Sequence, residues 1–330
     1  MAKRKEDPKR NNVLPLVTSS RRATTAPYAH VAVLIPCLNE EVTIRKVVED
    51  FNQVLPGARI YVFDNNSSDR TALVASGAGA TVVHVPLKGK GNVVRKMFTK
   101  IDAKIYIMVD GDDTYPASMA PALINELTGG ADMVVGARIS SYESGSFRMF
   151  HMFGNRLVAW LISKIFSVRL RDVMSGFRVF SPAFVKGVPL LARGFEVEVE
   201  MTLQALAKSF VIKEVDIPYQ KRPEGSLSKL NTISDGILIL KSILVIFKDY
   251  KPLTFFSMLS LFFFAFSLTV GTFPIMDYVE YRAVYHIPLA VLAMGSMILS
   301  ALSLAIGLVL HTLARYQMET FQLIRRLQRD

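Results

Sequence analysis

Three carboxylates fall within four residues of the stretch IYIMVDGDDTYP, at Asp110, Asp112 and Asp113, directly after an apolar run. Like charges at that spacing repel, so the segment calls for a positive partner. Asp110 and Asp112 stand at i and i+2 where a strand breaks into a turn, with Gly111 freeing the backbone between them. Paired hard oxygens in that setting suit Mg2+ or Mn2+, which takes one or two carboxylates and fills its shell with water and phosphate oxygens. A second group of residues is basic: Arg138, Arg148 and Arg156, then Arg222, Ser226 and Lys229 within RPEGSLSKL. Arginine meets a phosphate monoester bidentately and lysine meets it as a point charge. The competing accounts are plain ones: a solvated or helix-capping Asp-rich turn, and a juxtamembrane basic stretch that binds anionic headgroups.

The elements that must position these groups alternate in type. HVAVLIPCLNE, ARIYVFDNN, ATVVHVP, KIYIMVDGD and ADMVVGAR read as apolar strands. EEVTIRKVVEDFNQVL, SDRTALVASGAG, GNVVRKMFTKI and MAPALINELTGG carry helical spacing between them. This βαβα order predicts a mainly parallel sheet with helices on both faces. Ligands of such sheets bind beyond the carboxyl ends of the strands. Polar residues gather there: Asn39 and Glu40 after the first strand, Asp64 to Ser68 after the second, and Asp110 to Asp113 after the fourth.

The chain has 330 residues, a hydrophobic content of 51% and a formal net charge of +11. The apolar excess is local. Residues 253–273 and 287–310 carry no charge and are each long enough to cross a bilayer, which takes about 20 residues. Lys241, Lys248, Lys251, Arg315, Arg325, Arg326 and Arg329 flank the pair, while the short connection holds Asp277, Glu280 and Arg282. The positive-inside rule then predicts both termini in the cytosol. The expected organisation is a basic segment 1–29, a cytosolic catalytic domain 30–232, an amphipathic interfacial helix 233–252, a transmembrane hairpin 253–310 and a basic amphipathic tail 311–330, at the membrane or packed on a neighbour. Nucleic-acid binding would explain the charge but not the spans. The lone cysteine, Cys37, excludes an internal disulfide.

Taken in order, IPCLNEE, DNNSSDRT, KGKGNVVR, VDGDDTYP, RDVMSGFRVF, GFEVEVEMTLQA and RPEGSLSKL form a specific set. The series resembles the family-2 glycosyltransferases of GT-A fold, and within them the polyprenyl-phosphate glycosyltransferases, the group of dolichol-phosphate mannose synthase and its bacterial undecaprenyl-phosphate relatives. The likeness covers roughly residues 30 to 250, and the C-terminal spans suit anchored members. It implies that Pro36, Asn39 and Glu40 lie against the nucleoside, that Asp64 contacts the base, and that Gly89 and Gly91 shape a loop near the nucleotide with Lys88 or Lys90 supplying charge. Asp110 and Asp112 would hold the metal and the donor diphosphate. A third ligand would fall at Thr114, a poor one, which leaves that place open to Asp113 or water. Arg138, Arg148, Arg222, Ser226 and Lys229 would meet the acceptor phosphate. Asp172 would organise substrate, Ser175 and Gly176 would shape the sugar pocket, and Glu198 or Glu200 would contact the sugar.

The implied reaction is inverting, metal-dependent transfer of a hexose from a UDP- or GDP-sugar to undecaprenyl or dolichyl phosphate at the cytosolic membrane face, in cell-envelope glycan assembly or protein glycosylation. A processive polysaccharide synthase and a catalytically silent scaffold of the same fold are the alternatives. The first lacks support because its Gln-x-x-Arg-Trp pattern is absent, the one tryptophan being Trp160 in LVAWLIS. A homo-oligomer is compatible with the sequence.

Overall fold

Alternate residues of the first strand, β1 (Val31–Cys37), serve two different cores. Val31, Val33 and Ile35 enter one and Ala32 and Leu34 the other, as the two-residue period of a strand requires. The computed structural model describes residues 26–139, 146–223 and 232–327. After β1 come α1 (Ile44–Val54), β2 (Arg59–Asp64), α2 (Thr71–Gly77), β3 (Thr81–His84), α3 (Lys90–Lys100) and β4 (Ile105–Met108). A short 3-10 turn leads into α4 (Ala120–Thr128), followed by β5 (Met133–Ile139) and α5 (Ser146–Phe166). The sheet part closes with β6 (Arg178–Phe180), α6 (Pro182–Gly187), α7 (Val197–Ala207) and β7 (Ile212–Pro218).

The strands form one sheet in the order β3-β2-β1-β4-β6-β5-β7. All pairings are parallel except those of β6, which runs antiparallel to both β4 and β5. Two strands, β6 and β7, lie beyond the five that apolar runs reveal. β6 is only three residues long and contains an arginine, and β7 is half-buried along most of its length. On one face Ile44, Val48 and Phe51 of α1 pack with Leu123 of α4. On the other, Val94 and Met97 of α3 meet Phe184 of α6 and Met201 of α7. Burying each such side chain contributes roughly 1.5–3 kcal/mol. Both faces are covered, so β4 is buried at every position, which is why its sequence shows no alternation.

The C-terminal third is helical: α8 (Thr232–Tyr250), α9 (Pro252–Tyr281) and α10 (Ile287–Leu327). α8 has two apolar sides. Ile239, Ile243 and Ile246 pack against Val158 and Ile162 of α5 and Leu203 of α7, while Ile237, Leu240 and Leu244 are exposed. α9 and α10 are long and apolar enough to cross a membrane. They run antiparallel, joined by Ser267 Oγ donating to the Ala293 carbonyl at 2.7 Å and Ser300 Oγ donating to the Ser260 carbonyl at 2.9 Å. Gly307 admits Phe256, since a Cβ there would lie 2.8 Å from the Phe256 Cβ, the close approach small residues allow. α10 continues unbroken into the expected tail as far as Leu327. Its far end returns to the sheet part, where the Phe321 ring meets Phe210 edge-on at 5.9 Å and Lys208 sits over it at 5.5 Å.

Candidate active site

The register of β1 brings the strand ends level: Cys37 pairs with Asp64 of β2 and Leu34 with Met108 of β4. Chain leaving β4 therefore turns beside chain leaving β1. Gly111 is required by that proximity, because a Cβ on it would lie 2.6 Å from Cys37 Sγ. Thr43 Oγ1 fixes the turn by donating to the Gly111 carbonyl at 2.6 Å. Asp112, almost fully buried, accepts from Thr114 Oγ1 at 2.6 Å through Oδ1 and faces Arg222 Nη2 at 2.5 Å through Oδ2. Burial and the Asp110 charge push the Asp112 carboxyl above its usual range, with Arg222 and Thr114 offsetting part of the rise. Asp113 turns away in the left-handed region (φ 58°) to pair with Lys46 Nζ at 2.9 Å. It does not join Asp110 and Asp112.

Asp110 meets Lys90, the first residue of α3, at 2.5 Å between Oδ1 and Nζ. The same ammonium lies 2.5 Å from Glu198 Oε1 in the first turn of α7, with the Phe195 ring beneath it. Burial alone would lower the Lys90 pKa, but the two carboxylates outweigh it and raise it. Burial also drives Glu198 up, and Lys90 only partly reverses this. Glu198 thus serves a lysine, where a sugar contact was expected. Glu200 is tied to the Leu191 and Ala192 amides, a structural post.

Gly89 and Gly91 make room for a different neighbour. Gly89 holds a φ of 116°, and a Cβ there would sit 2.2 Å from the Arg193 carbonyl oxygen; one on Gly91 would sit 2.3 Å from that of Ala192. The Gly91 amide donates to the Arg193 and Gly194 carbonyls, both at 3.1 Å, and so is not aimed at a phosphate. Asn65 braces this loop by accepting from the Gly89 amide at 2.7 Å and donating to the Val85 and Leu87 carbonyls. Asn39 (φ 54°) knits the first two strand ends, its Oδ1 accepting from the Ser68 amide at 2.7 Å. Pro36 lies within β1, opposite Phe63. Asp64 lies 3.2 Å from His84 Nδ1. Buried Glu40 has Arg222 Nη1 at 4.0 Å.

Arg138, expected at the acceptor phosphate, instead forms a two-pronged pair with Asp172: Nε to Oδ2 at 2.7 Å and Nη2 to Oδ1 at 2.9 Å. Its guanidinium also stacks over Tyr219 at 5.4 Å. Burial would raise the Asp172 pKa, but Arg138 and the backbone donors bring it below the usual range. Asp172 is therefore an anchored anion and not a poised base. Ser175 is fully buried, its Oγ accepting from the Phe177 amide at 3.3 Å, so its hydroxyl lines no pocket. Gly176 lies directly against the Asp110–Asp112 turn, where a Cβ would stand 2.2 Å from Asp110 Oδ2. Arg148 lies in α5 with no described side chain, and Ser226 and Lys229 lie outside the described residues.

Two participants were not singled out by sequence: Tyr115, whose hydroxyl accepts from the Gly176 amide at 3.0 Å, and Asn65, while buried Arg178, which the sequence offers as a structural residue, takes that part. Arg178 donates to the Ser175 carbonyl at 2.9 Å, the Val173 carbonyl at 2.7 Å and Thr202 Oγ1 at 2.9 Å. A charged residue in the apolar run GFRVF was the available signal.

The donor set fits a divalent cation. Asp110 and Asp112 present hard oxygens from one turn, and each already stabilises a positive group. No cluster of three or more His, Cys, Asp or Glu side chains suited to a metal occurs among the described residues. Two carboxylates with the remaining places left to water and phosphate oxygens is the usual Mg2+ arrangement.

Residues 32–183 match the family described as Glycosyl transferase family 2. Protein RfbJ of Shigella flexneri is 58% identical over 123 residues, 37% of this chain and 95% of that protein. Glycosyltransferase AglJ of Haloferax volcanii is 29% identical over 299 residues, 90% of this chain and 98% of its own. A dolichyl-phosphate hexose transferase of the same organism is 27% identical over 67% of this chain and 95% of that protein. The solved glucosyl-3-phosphoglycerate synthase of Mycobacterium tuberculosis, in complex with Mn2+, UDP-glucose and phosphoglyceric acid, shares the fold with a TM-score of 0.55 at 22% identity, over 66% of this chain and 79% of that one. The chain belongs to glycosyl transferase family 2, has the GT-A fold, and is a glycosyltransferase.

Proposed function

We propose that this enzyme transfers a hexose from a UDP- or GDP-sugar to a polyprenyl phosphate, undecaprenyl or dolichyl, with inversion at the anomeric carbon. The observation that carries the proposal is the joining of two features. Asp110 and Asp112 end a central strand of a nucleotide-sugar fold, and α8 links that fold directly to the apolar hairpin α9–α10. A lipid acceptor is supported by the likeness to a dolichyl-phosphate hexose transferase. A divalent metal is supported by the Mn2+ complex of the structural relative.

Asp110 and Asp112 would hold Mg2+ or Mn2+, which when bound would neutralise the donor diphosphate and stabilise the departing nucleotide. Lys90 adds a fixed positive charge at the same strand end. Arg222, reaching back from beyond β7, is the described basic group placed to turn from Asp112 toward an acceptor phosphate. A phosphate oxygen is already anionic at neutral pH, so attack needs no strong general base. That agrees with an Asp172 locked to Arg138. The residues chiefly align acceptor and anomeric carbon. The cationic flanks of the hairpin favour a catalytic part and both termini on the cytosolic side.

The test is transfer of radiolabelled sugar from nucleotide to polyprenyl phosphate by the purified full chain in detergent. Product is expected only with Mg2+ or Mn2+, and is expected to vanish for Asp112→Asn. Undiminished transfer in excess chelator would overturn the metal assignment, and transfer to soluble acceptors alone would overturn the lipid one.

A further inference from the structure

Lys90 is a buried cation of the crevice shared between two carboxylates from different elements. Its Nζ lies 2.5 Å from Asp110 Oδ1, after β4, and 2.5 Å from Glu198 Oε1, on α7. The side chains of Lys90 and Glu198 are 10% and 5% exposed, so neither can exchange its partner for bulk water. From this geometry we infer that Glu198 is a positioning residue for metal binding: it retains the Lys90 ammonium when a divalent cation claims Asp110. The inference rests on the proposed metal site at Asp110 and Asp112.

The physical case is a charge count. With the site empty of metal, one ammonium faces two carboxylates. A cation arriving at Asp110 weakens the Asp110–Lys90 pair and brings positive charge toward the ammonium. A buried ammonium stripped of its partners is strongly destabilising. Glu198 prevents that outcome, because Lys90 already touches it and needs no large movement to remain paired. The location of Glu198 is fixed independently of any ligand. The loop before α7 packs on the start of α3 through the Gly91 amide and the Arg193 and Gly194 carbonyls. Glu196 holds the same loop by accepting from the Arg193 and Gly194 amides at 3.0 and 3.1 Å. α7 and α3 therefore approach as a unit, and the Glu198–Lys90 pair spans their junction.

The role differs from that of a sugar-contacting carboxylate, which would alter donor selectivity and leave metal affinity alone. It also predicts a specific coupling. If Glu198 acts through Lys90, its charge matters only while Lys90 is charged.

The experiment titrates Mn2+ into the purified full chain, with UDP or GDP present, and follows free Mn2+ by electron paramagnetic resonance. Glu198→Gln keeps the shape and removes the charge, and should weaken Mn2+ binding about tenfold or more. Glu198→Asp should restore part of the loss. Lys90→Met combined with Glu198→Gln should return Mn2+ affinity toward that of Lys90→Met alone, because no buried ammonium remains to be stranded; such a cycle isolates the pairwise effect. Wild-type Mn2+ affinity in Glu198→Gln would overturn the inference while leaving the metal site intact. A Glu198→Gln defect that persists equally in the Lys90→Met background would also overturn it, since Glu198 would then act otherwise than through Lys90. A wild-type chain that binds no Mn2+ with either nucleotide would remove the metal site and this role together.

Discussion

Replacing Gly176 with alanine adds a single methyl group at the point where the segment before β6 meets the metal motif. The new Cβ would lie 2.2 Å from Asp110 Oδ2, 2.7 Å from its Cγ and 2.8 Å from Oδ1. Ordinary contact begins at 3.4 Å, so one partner must retreat by about 1.2 Å. The backbone is the less able to move. The Gly176 amide is bonded to the Tyr115 hydroxyl at 3.0 Å, and the next residue, Phe177, is fully buried against Phe51 and Tyr115. The carboxylate of Asp110 must give way, along with its bond to Lys90. Misplacing a reacting geometry by about 1 Å can cost a hundredfold in rate, about 2.7 kcal/mol of transition-state stabilisation. Overpacking adds roughly 1–3 kcal/mol of lost stability. The expected result is a fall of about two orders of magnitude in kcat/KM for lipid glycosylation in a chain that still folds, with a higher Mn2+ requirement. Full turnover at unchanged Mn2+ dependence would show that the Asp110 carboxylate is not held at the reacting centre.

Arg222→Ala should raise KM for polyprenyl phosphate more than KM for the nucleotide sugar; a change confined to the donor would assign Arg222 to the other half of the site. Asp172 is held below the usual carboxylate range by Arg138 and backbone donors acting against burial. Its pairing therefore stabilises the fold fully above the ordinary aspartate pKa and fades as pH falls below it through the lowered value. Asp172→Asn should erase that acid-side dependence in thermal melts and, by stranding Arg138, cost about 3–5 kcal/mol; an unchanged pH profile would contradict the pairing. Arg178→Met leaves the Val173 and Ser175 carbonyls without their donor, at about 1–3 kcal/mol each, and should lower the melting temperature measurably.

The strand ends were legible because parallel sheets place their chemistry there, and IYIMVDGDDTYP and ARIYVFDNN each break from apolar to polar at a definable residue. The partners were not legible. Lys90, Glu198, Arg222 and Asp112 come from distant parts of the chain, and each reads locally as a solvated charge. Pairing is decided by tertiary register: β1 aligned with β2 and β4, and α7 laid against α3. The alternation of Glu196, Glu198 and Glu200 with apolar residues has the period of a strand, yet these residues start a helix in which all three glutamates are buried. Each is held by a lysine or by backbone amides, partners that periodicity cannot reveal, although Glu196 Oε2 is buried without a hydrogen-bond partner. Ser175 and Arg138 make the same point: residue type shows what a side chain can bind but not which neighbour of the fold it already holds.

Those pairings also separate two uses of the chain's positive charge. Asp110 and Glu198 share Lys90, Asp112 and Glu40 face Arg222, and Asp172 holds Arg138. In these clusters carboxylates outnumber cations, although the whole chain carries +11. A nucleoside diphosphate adds still more negative charge to a place of low dielectric, where like charges interact strongly. Its entry is unfavourable unless positive charge comes with it, and a divalent cation held by Asp110 and Asp112 would supply that charge. Much of the basic excess lies elsewhere, on Lys241, Lys248 and Lys251 before the hairpin and on Arg315 and Arg326 after it. In the proposed cytosolic orientation it would face the surface where anionic lipid collects. In the proposed reaction the chain's basic excess would thus serve the membrane, and the donor's demand for charge would fall on a metal.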